Sequence, residues 1–160
     1  HGSYLSGNNV EMLKKEKAKL EEILDISIID NRNHFLASRE PEEMENLVKI
    51  GITDDYTMGY ADVAGFRLGT SKPVRFINPA TKRLASLIIH PLTVMESTLK
   101  EEKYMNLSYD EAQEYCNTLI DNVKKVNGEL TLLWHNTSFF VKGDLYLHEL
   151  YINILTHLRT

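Results

Sequence analysis

An α/β fold with parallel strands is what this sequence predicts, and three observations predict it. Helical and strand-like segments alternate over most of the 160 residues. The clearest strand, Leu130-Thr131-Leu132-Leu133-Trp134, is launched by the turn signal Asn127-Gly128 and gives way to His135-Asn136. An unbroken apolar run of this length suits a strand covered on both faces, which belongs mainly to parallel sheets joined by right-handed crossovers. Finally, polar clusters follow strand ends: Arg32 with His34, Asp54 with Asp55, His90, and His135 with Asn136. In parallel α/β folds chemistry collects past the carboxyl ends of strands, and in a barrel or part-barrel these positions face one mouth.

Taken in order, Asn8 or Asn9 caps a helix running to about Leu24, with Val10, Leu13, Leu20 and Leu24 on one side and a solvated charged face elsewhere. Ile26 to Ile29 reads as a strand delivering Asp30 to His34. The next helix starts near Pro41, places Glu42 and Glu43 in its positive first turn, and stops at Gly51. From Thr57 to Pro79 glycines replace helical periodicity; Gly59, Gly65 and Gly69 mark tight backbone around Phe66-Arg67. Val74 to Ile77 and Leu87 to Ile89 are strands, with Leu92 to Met95 extending towards Glu96. Ser108 and Glu111 form a capping box ahead of a helix whose buried face is Ala112, Tyr115, Cys116, Leu119, Ile120 and Val123. The last helix, Leu145 to Leu158, turns Leu147, Leu150, Tyr151, Ile154 and Leu158 inward.

Composition narrows the function classes. The length suits one domain, and 42% hydrophobic with 26% charged residues is ordinary for a globular chain. No apolar run reaches the roughly 18 residues of a membrane span. A formal charge of -5 without a basic cluster argues against a duplex nucleic-acid partner. Cys116 is the single cysteine, which excludes an internal disulfide framework and suits a reducing, cytoplasmic setting; no signal peptide is visible.

Several of these segments carry a resemblance. Arg32-Asn33-His34-Phe35, Asp55-Tyr56-Thr57-Met58-Gly59-Tyr60 with Gly65-Phe66-Arg67-Leu68-Gly69-Thr70, and Leu132-Leu133-Trp134-His135-Asn136 resemble, in order, the later motifs of polysaccharide deacetylases. His1-Gly2-Ser3-Tyr4 is similar to the His-containing second motif of a bacterial branch of that superfamily. The resemblance implies a distorted (β/α) barrel, of which residues 1–160 form a single carboxyl-terminal portion, and hydrolysis of N- or O-acetyl groups on a sugar or polysaccharide. In that family an Asp and two His hold a divalent metal, usually zinc, and a second Asp of the first motif is the base.

Carried across, the resemblance makes His135 the late-strand acid, Leu132 and Trp134 the lining of the acetyl pocket, Arg32 the residue orienting the base, and His1 the first metal ligand. Departures accompany it. The Asp-Asp first motif is not in this stretch, Leu5 stands where the second metal His is usual, and His34 replaces a Pro, as a substitute ligand or as a donor to a loop carbonyl. The expected consequence is an incomplete metal site and no activity from these residues alone. An open sheet edge would favour a homodimer.

Other candidates keep two readings. Tyr56, Phe66, Arg67 and Asn136 are substrate-binding candidates. Phe66 and Trp134 stack on a sugar ring or pack in a core; Arg67 grips an anionic group or makes a structural ion pair. Asp54 and Asp55 orient His135 or touch substrate, or serve turn chemistry or a helix cap. Glu96 is structural unless it meets His135. His90 is read as structural, and His148 and His157 as surface residues. A noncatalytic carbohydrate-binding or structural module of the same fold is the alternative to the hydrolase.

Overall fold

The computed structural model describes residues 1–7, 9–140 and 142–160, and within them two units fold around separate cores. The first comprises His1–Met58 and Pro73–Pro91, the second Gly59–Lys72 and Leu92–Thr160.

In the first unit, α1 (Val10–Leu24) opens where the Asn9 side chain accepts the Met12 N–H at 3.1 Å, and closes on Asp25 in the left-handed region at φ 53°. Asn8, the other capping candidate, lies outside the described residues. α2 (Glu42–Lys49) follows Pro41, which occupies the cap position instead of the expected first helical position. Gly51, at φ 83°, supplies the left-handed residue that ends the helix.

Two-residue strands β1 (Asp30–Asn31) and β2 (Asp54–Asp55) pair in parallel, and β2 pairs in parallel with β4 (Arg83–Ile89). β3 (Val74–Asn78) joins β4 on its other side as an antiparallel hairpin, giving the order β1-β2-β4-β3. The expected strand 26–29 is thus displaced to Asp30–Asn31. The Glu21 carboxylate takes the Ile28 N–H at 2.9 Å, and pairing with β2 begins only at the Ile29 carbonyl, which accepts from Thr53 and Asp54. Leu13, Met44, Leu47, Ile52, Met58, Phe76, Leu87 and Ile89 fill the core. Truncating a side chain such as Leu87, fully buried there, costs about 2–5 kcal/mol.

The second unit holds β5 (Leu92–Met95), α3 (Glu96–Lys100), α4 (Tyr109–Lys125), β6 (Thr131–Leu133) and α5 (Tyr146–Arg159). The capping box forms as expected: Glu111 accepts from the Ser108 N–H at 2.8 Å while Ser108 caps α4. Gly128, after α4, runs so close to Ser71 that an added Cβ would lie 2.0 Å from its Oγ. β5 and β6 pair in parallel. β6 is shorter than expected and only Thr131 is buried, Leu132 and Leu133 being half-buried. Among the described residues its one strand partner is β5, so it is an edge strand, and its half-buried leucines fall short of the cover expected on both faces. Cys116, Ile120, Leu150 and Ile154 are central to the core, and burial pushes the Cys116 thiol up to about 12.

The protein is therefore mixed α/β with parallel strands and one antiparallel edge strand, and the described strands form no closed barrel. No helix among the described residues is long and apolar enough to cross a membrane.

Candidate functional site

Parallel pairing brings the carboxyl ends of β1, β2 and β4 to one edge of the first unit's sheet. Asp55 stands there without solvent exposure. Its Oδ1 accepts from Asn31 Nδ2 at 2.9 Å and Thr57 Oγ1 at 2.8 Å, and its Oδ2 from the Thr57 N–H at 3.0 Å. Burial pushes the Asp55 carboxyl up, against the pull of these hydrogen bonds and the Arg32 guanidinium. Arg32 Nε donates to the Tyr56 carbonyl at 3.1 Å, and its guanidinium carbon lies 5.9 Å from the Tyr56 ring centroid. Burial lowers the Arg32 pKa, with Asp55 opposing that effect.

On its other side Tyr56 stacks on His90, centroids 4.3 Å apart at 16°. His90 Nε2 lies 2.9 Å from Asp54 Oδ1, and Thr53 Oγ1 donates to Asp54 Oδ2 at 2.6 Å. Those two bonds, Thr53's the larger influence, hold the Asp54 carboxyl below its ordinary value. Both aspartates lie in β2 itself; Asp55 makes a local turn-type bond to Thr57, whereas Asp54 and His90 form a clamped pair across strands.

His1 and His34 are brought together, ring centroids 4.2 Å apart and nearly perpendicular. The amino-terminal segment reaches this place because Ser3 N and Oγ both bond Glu16 of α1, at 2.9 and 2.6 Å. Gly2 packs closely there: an added Cβ would meet Ser6 Oγ at 2.3 Å and Leu13 Cδ1 at 2.6 Å, so those side chains would have to shift. His34 starts a short turn, His34–Leu36, in which Phe35 and Leu36 both have positive φ, 56° and 53°. Left-handed backbone at such residues costs about 1–2 kcal/mol each. Asn33 fixes the turn's entrance: its N–H donates to Thr57 Oγ1 at 3.0 Å and its side chain to the Ala37 carbonyl and to Glu43. Glu43 is itself buried, which pushes its carboxyl up.

Two adjacent imidazoles suit a borderline cation such as zinc, which takes three protein ligands at a catalytic site. Among the described residues no group of three His, Cys, Asp or Glu side chains is placed to complete one. The pair alone supplies at most two of those donors, and His1 Nδ1 lies 2.9 Å from the Gly2 carbonyl oxygen. Leu5 is 72% exposed and has no ligating atom.

In the second unit, Glu96 directly follows β5 and His135 follows β6 by two residues, so parallel pairing places them at matching strand ends. Glu96 Oε1 accepts three bonds, from the His135 N–H at 3.0 Å, His135 Nδ1 at 2.5 Å and Ser138 Oγ at 2.9 Å. The Glu96 side chain is 3% exposed and the His135 side chain 55%. Glu96 Oε2 is buried and has no hydrogen-bond partner among the described residues. A carboxylate on Nδ1 selects the tautomer with the proton there and leaves Nε2 as the imidazole's working atom. The condition attached to Glu96 in the sequence, that it meet His135, is satisfied.

Phe66, Leu132 and Trp134 pack against the second unit's core, and Trp134 lies 5.3 Å from Tyr151. Trp134 Nε1 is buried without a hydrogen-bond partner among the described residues. Arg67 is exposed; it donates to the Gly59 carbonyl at 3.1 Å and lies 5.9 Å from the Tyr60 ring centroid. Asn136 is exposed at the start of the turn Asn136–Phe139.

No family model, curated protein or solved structure matches this chain.

Sequence reasoning missed Thr57, Asn31 and Ser138. The spacing Asp55-Tyr56-Thr57, an acidic acceptor two residues before a hydroxyl, is the signal that could have found the first. Nothing local to Ser138 signals Glu96, which is 42 residues away in sequence.

Proposed function

We propose that this chain is the carboxyl-terminal part of a polysaccharide deacetylase-like hydrolase domain, a distorted (β/α) barrel in the complete protein, which removes acetyl groups from N- or O-acetylated sugars. The observation that carries this reading is the buried Glu96 carboxylate gripping an exposed His135 at the ends of two parallel strands. A merely structural histidine has no need of a buried, three-times-bonded carboxylate behind a ring left in solvent. In this role His135 Nε2 gives its proton to the departing amine or alkoxide, and Glu96 steadies the imidazolium left behind and keeps the ring in one orientation. Arg32 orients the base of the first motif. Leu132 and Trp134 shape the acetyl pocket, and Tyr56, Phe66, Arg67 and Asn136 contact the sugar.

His1 and His34 would hold a divalent metal, zinc by donor chemistry, together with a carboxylate of the first motif that these 160 residues do not contain. When bound, such a metal polarises the acetyl carbonyl and lowers the pKa of the attacking water. The reading places the protein in the cytoplasm as a homodimer, which sedimentation equilibrium checks.

The test is turnover of an acetylated oligosaccharide by the protein carrying its first motif. His135→Ala is expected to lower it about 10²–10⁴-fold, the usual contribution of general acid catalysis. Unchanged turnover in that variant defeats the mechanism. Glycan binding that persists in chelator, with no turnover by the unsubstituted protein, would instead identify a noncatalytic carbohydrate-binding module.

A further inference from the structure

Two aromatic rings of the first unit stand in solvent beside the paired imidazoles, and none of the roles above uses them. Phe35 is 81% exposed and Tyr4 68%. They meet edge to face, centroids 5.6 Å apart at 88°, and so form two walls at a right angle. His34 neighbours Phe35 at 5.9 Å. The backbone imposes this exposure: consecutive left-handed residues turn Leu36 into the core, 8% exposed, and Phe35 outward. A bulky residue held at positive φ with its ring in water gains nothing for the fold.

Beside the rings lies a cleft of about 330 Å³ between the amino-terminal segment and Asn33, His34 and Ala37. Its described lining offers hydroxyl, amide, imidazole and aliphatic groups, and no Lys, Arg, Asp or Glu. An anionic ligand would lose hydration there without meeting an opposite charge, and a wholly apolar one would strip water from the remaining lone pairs of the Ser3 and Ser6 oxygens and from the His34 imidazole. A sugar ring answers both conditions, with an apolar C–H face for an aromatic wall and hydroxyls that can donate to the Ser3 and Ser6 oxygens, whose own protons go to Glu16 and to the Ser3 carbonyl, and that can bond the His34 imidazole.

We propose that the Tyr4–Phe35 corner and the adjoining cleft bind a neutral pyranose unit of a glycan, its C–H face stacked on Phe35. The choice of glycan rests on the hydrolase reading; the corner and the uncharged cleft are independent of it.

Saturation-transfer NMR and calorimetry on the whole chain, in EDTA, with tri-N-acetylchitotriose, cellotriose and inorganic phosphate, test this. At least one trisaccharide should bind through its ring protons and phosphate should not. Tyr4→Ala and Phe35→Asn should each weaken binding tenfold or more, and Phe35→Tyr should retain it. Asn accepts the left-handed backbone, so Phe35→Asn should keep or raise the Tm, which separates lost stacking from lost folding. The proposal is overturned if neither trisaccharide binds, if phosphate binds instead, or if both weakening variants keep full affinity. In the protein carrying its first motif, no turnover despite binding overturns the hydrolase reading alone; turnover with an unchanged KM in Phe35→Asn overturns the stacking site alone.

Discussion

Each unit carries a histidine at a strand end bonded to a carboxylate, yet the two pairs are built oppositely. In the first, Asp54 and His90 have side chains 21% and 12% exposed. Thr53 satisfies the second Asp54 oxygen, and Tyr56 covers the imidazole. Every part of that pair is engaged by its neighbours, so its chemistry is spent on holding β2 to β4. In the second, the carboxylate is buried, one oxygen takes three donors and the imidazole projects into solvent. A carboxylate sunk behind an exposed ring stabilises one presentation of that ring. The sequence offers a carboxylate and an imidazole in both places; burial decides which imidazole is enclosed and which is presented to solvent.

This contrast can be broken by substitution. The largest expected effect is on turnover: His135→Ala loses about 10²–10⁴-fold, whereas His90→Ala leaves turnover within a few-fold. The stability effects follow a different order, and His135→Ala itself costs about 1 kcal/mol through its lost bond to the buried Glu96 carboxylate. Glu96→Ala strips three donors of their common acceptor and should cost about 1–3 kcal/mol in chemical denaturation. His90→Ala should cost roughly 1 kcal/mol through the lost bond to Asp54 and lost stacking on Tyr56. Equal turnover losses in His90→Ala and His135→Ala would erase the distinction.

A smaller effect sharpens it through pH. The Asp54 carboxyl is held below its ordinary value by Thr53 and His90. A depressed acid favours the folded state fully above the unfolded pKa of about 4 and loses that contribution as pH falls through the folded value. The stability gap between the wild type and Asp54→Asn should therefore be widest near neutrality and close below about pH 4. A gap that widens on acidification would reverse the assigned direction. The smallest effect is Ser138→Ala, about 0.5–1.5 kcal/mol, since His135 still holds Glu96 Oε1.

Local signals carried much of the fold. The Ser108–Glu111 capping box and the spacing of Ala112, Cys116, Leu119, Ile120 and Val123 mark α4 unambiguously, because capping and helical periodicity are decided within a few residues. Segments whose conformation depends on distant partners were harder. Ile26 to Ile29 has strand-forming residues, but a side-chain bond from Glu21 draws the segment out of the sheet until Ile29. α3 was hidden by the apolar run of β5 immediately before it. The antiparallel β3–β4 hairpin was obscured because its turn begins at Pro79, well before the apolar part of β4 at Leu87. For the site, His135 and Arg32 were legible as polar residues at strand ends. The His1–His34 contact depends on a tether between Ser3 and Glu16, and the outward Phe35 on two left-handed residues without glycine; neither leaves a local signature.

The account depends most on the claim that Glu96 fixes the His135 imidazole with its proton on Nδ1. Long-range proton–nitrogen NMR of the His135 ring in its neutral form measures this directly. The expected spectrum shows Nδ1 protonated and Nε2 as the bare acceptor in the wild type, with that preference lost in Glu96→Gln. A wild-type ring protonated on Nε2, unchanged by Glu96→Gln, would contradict it.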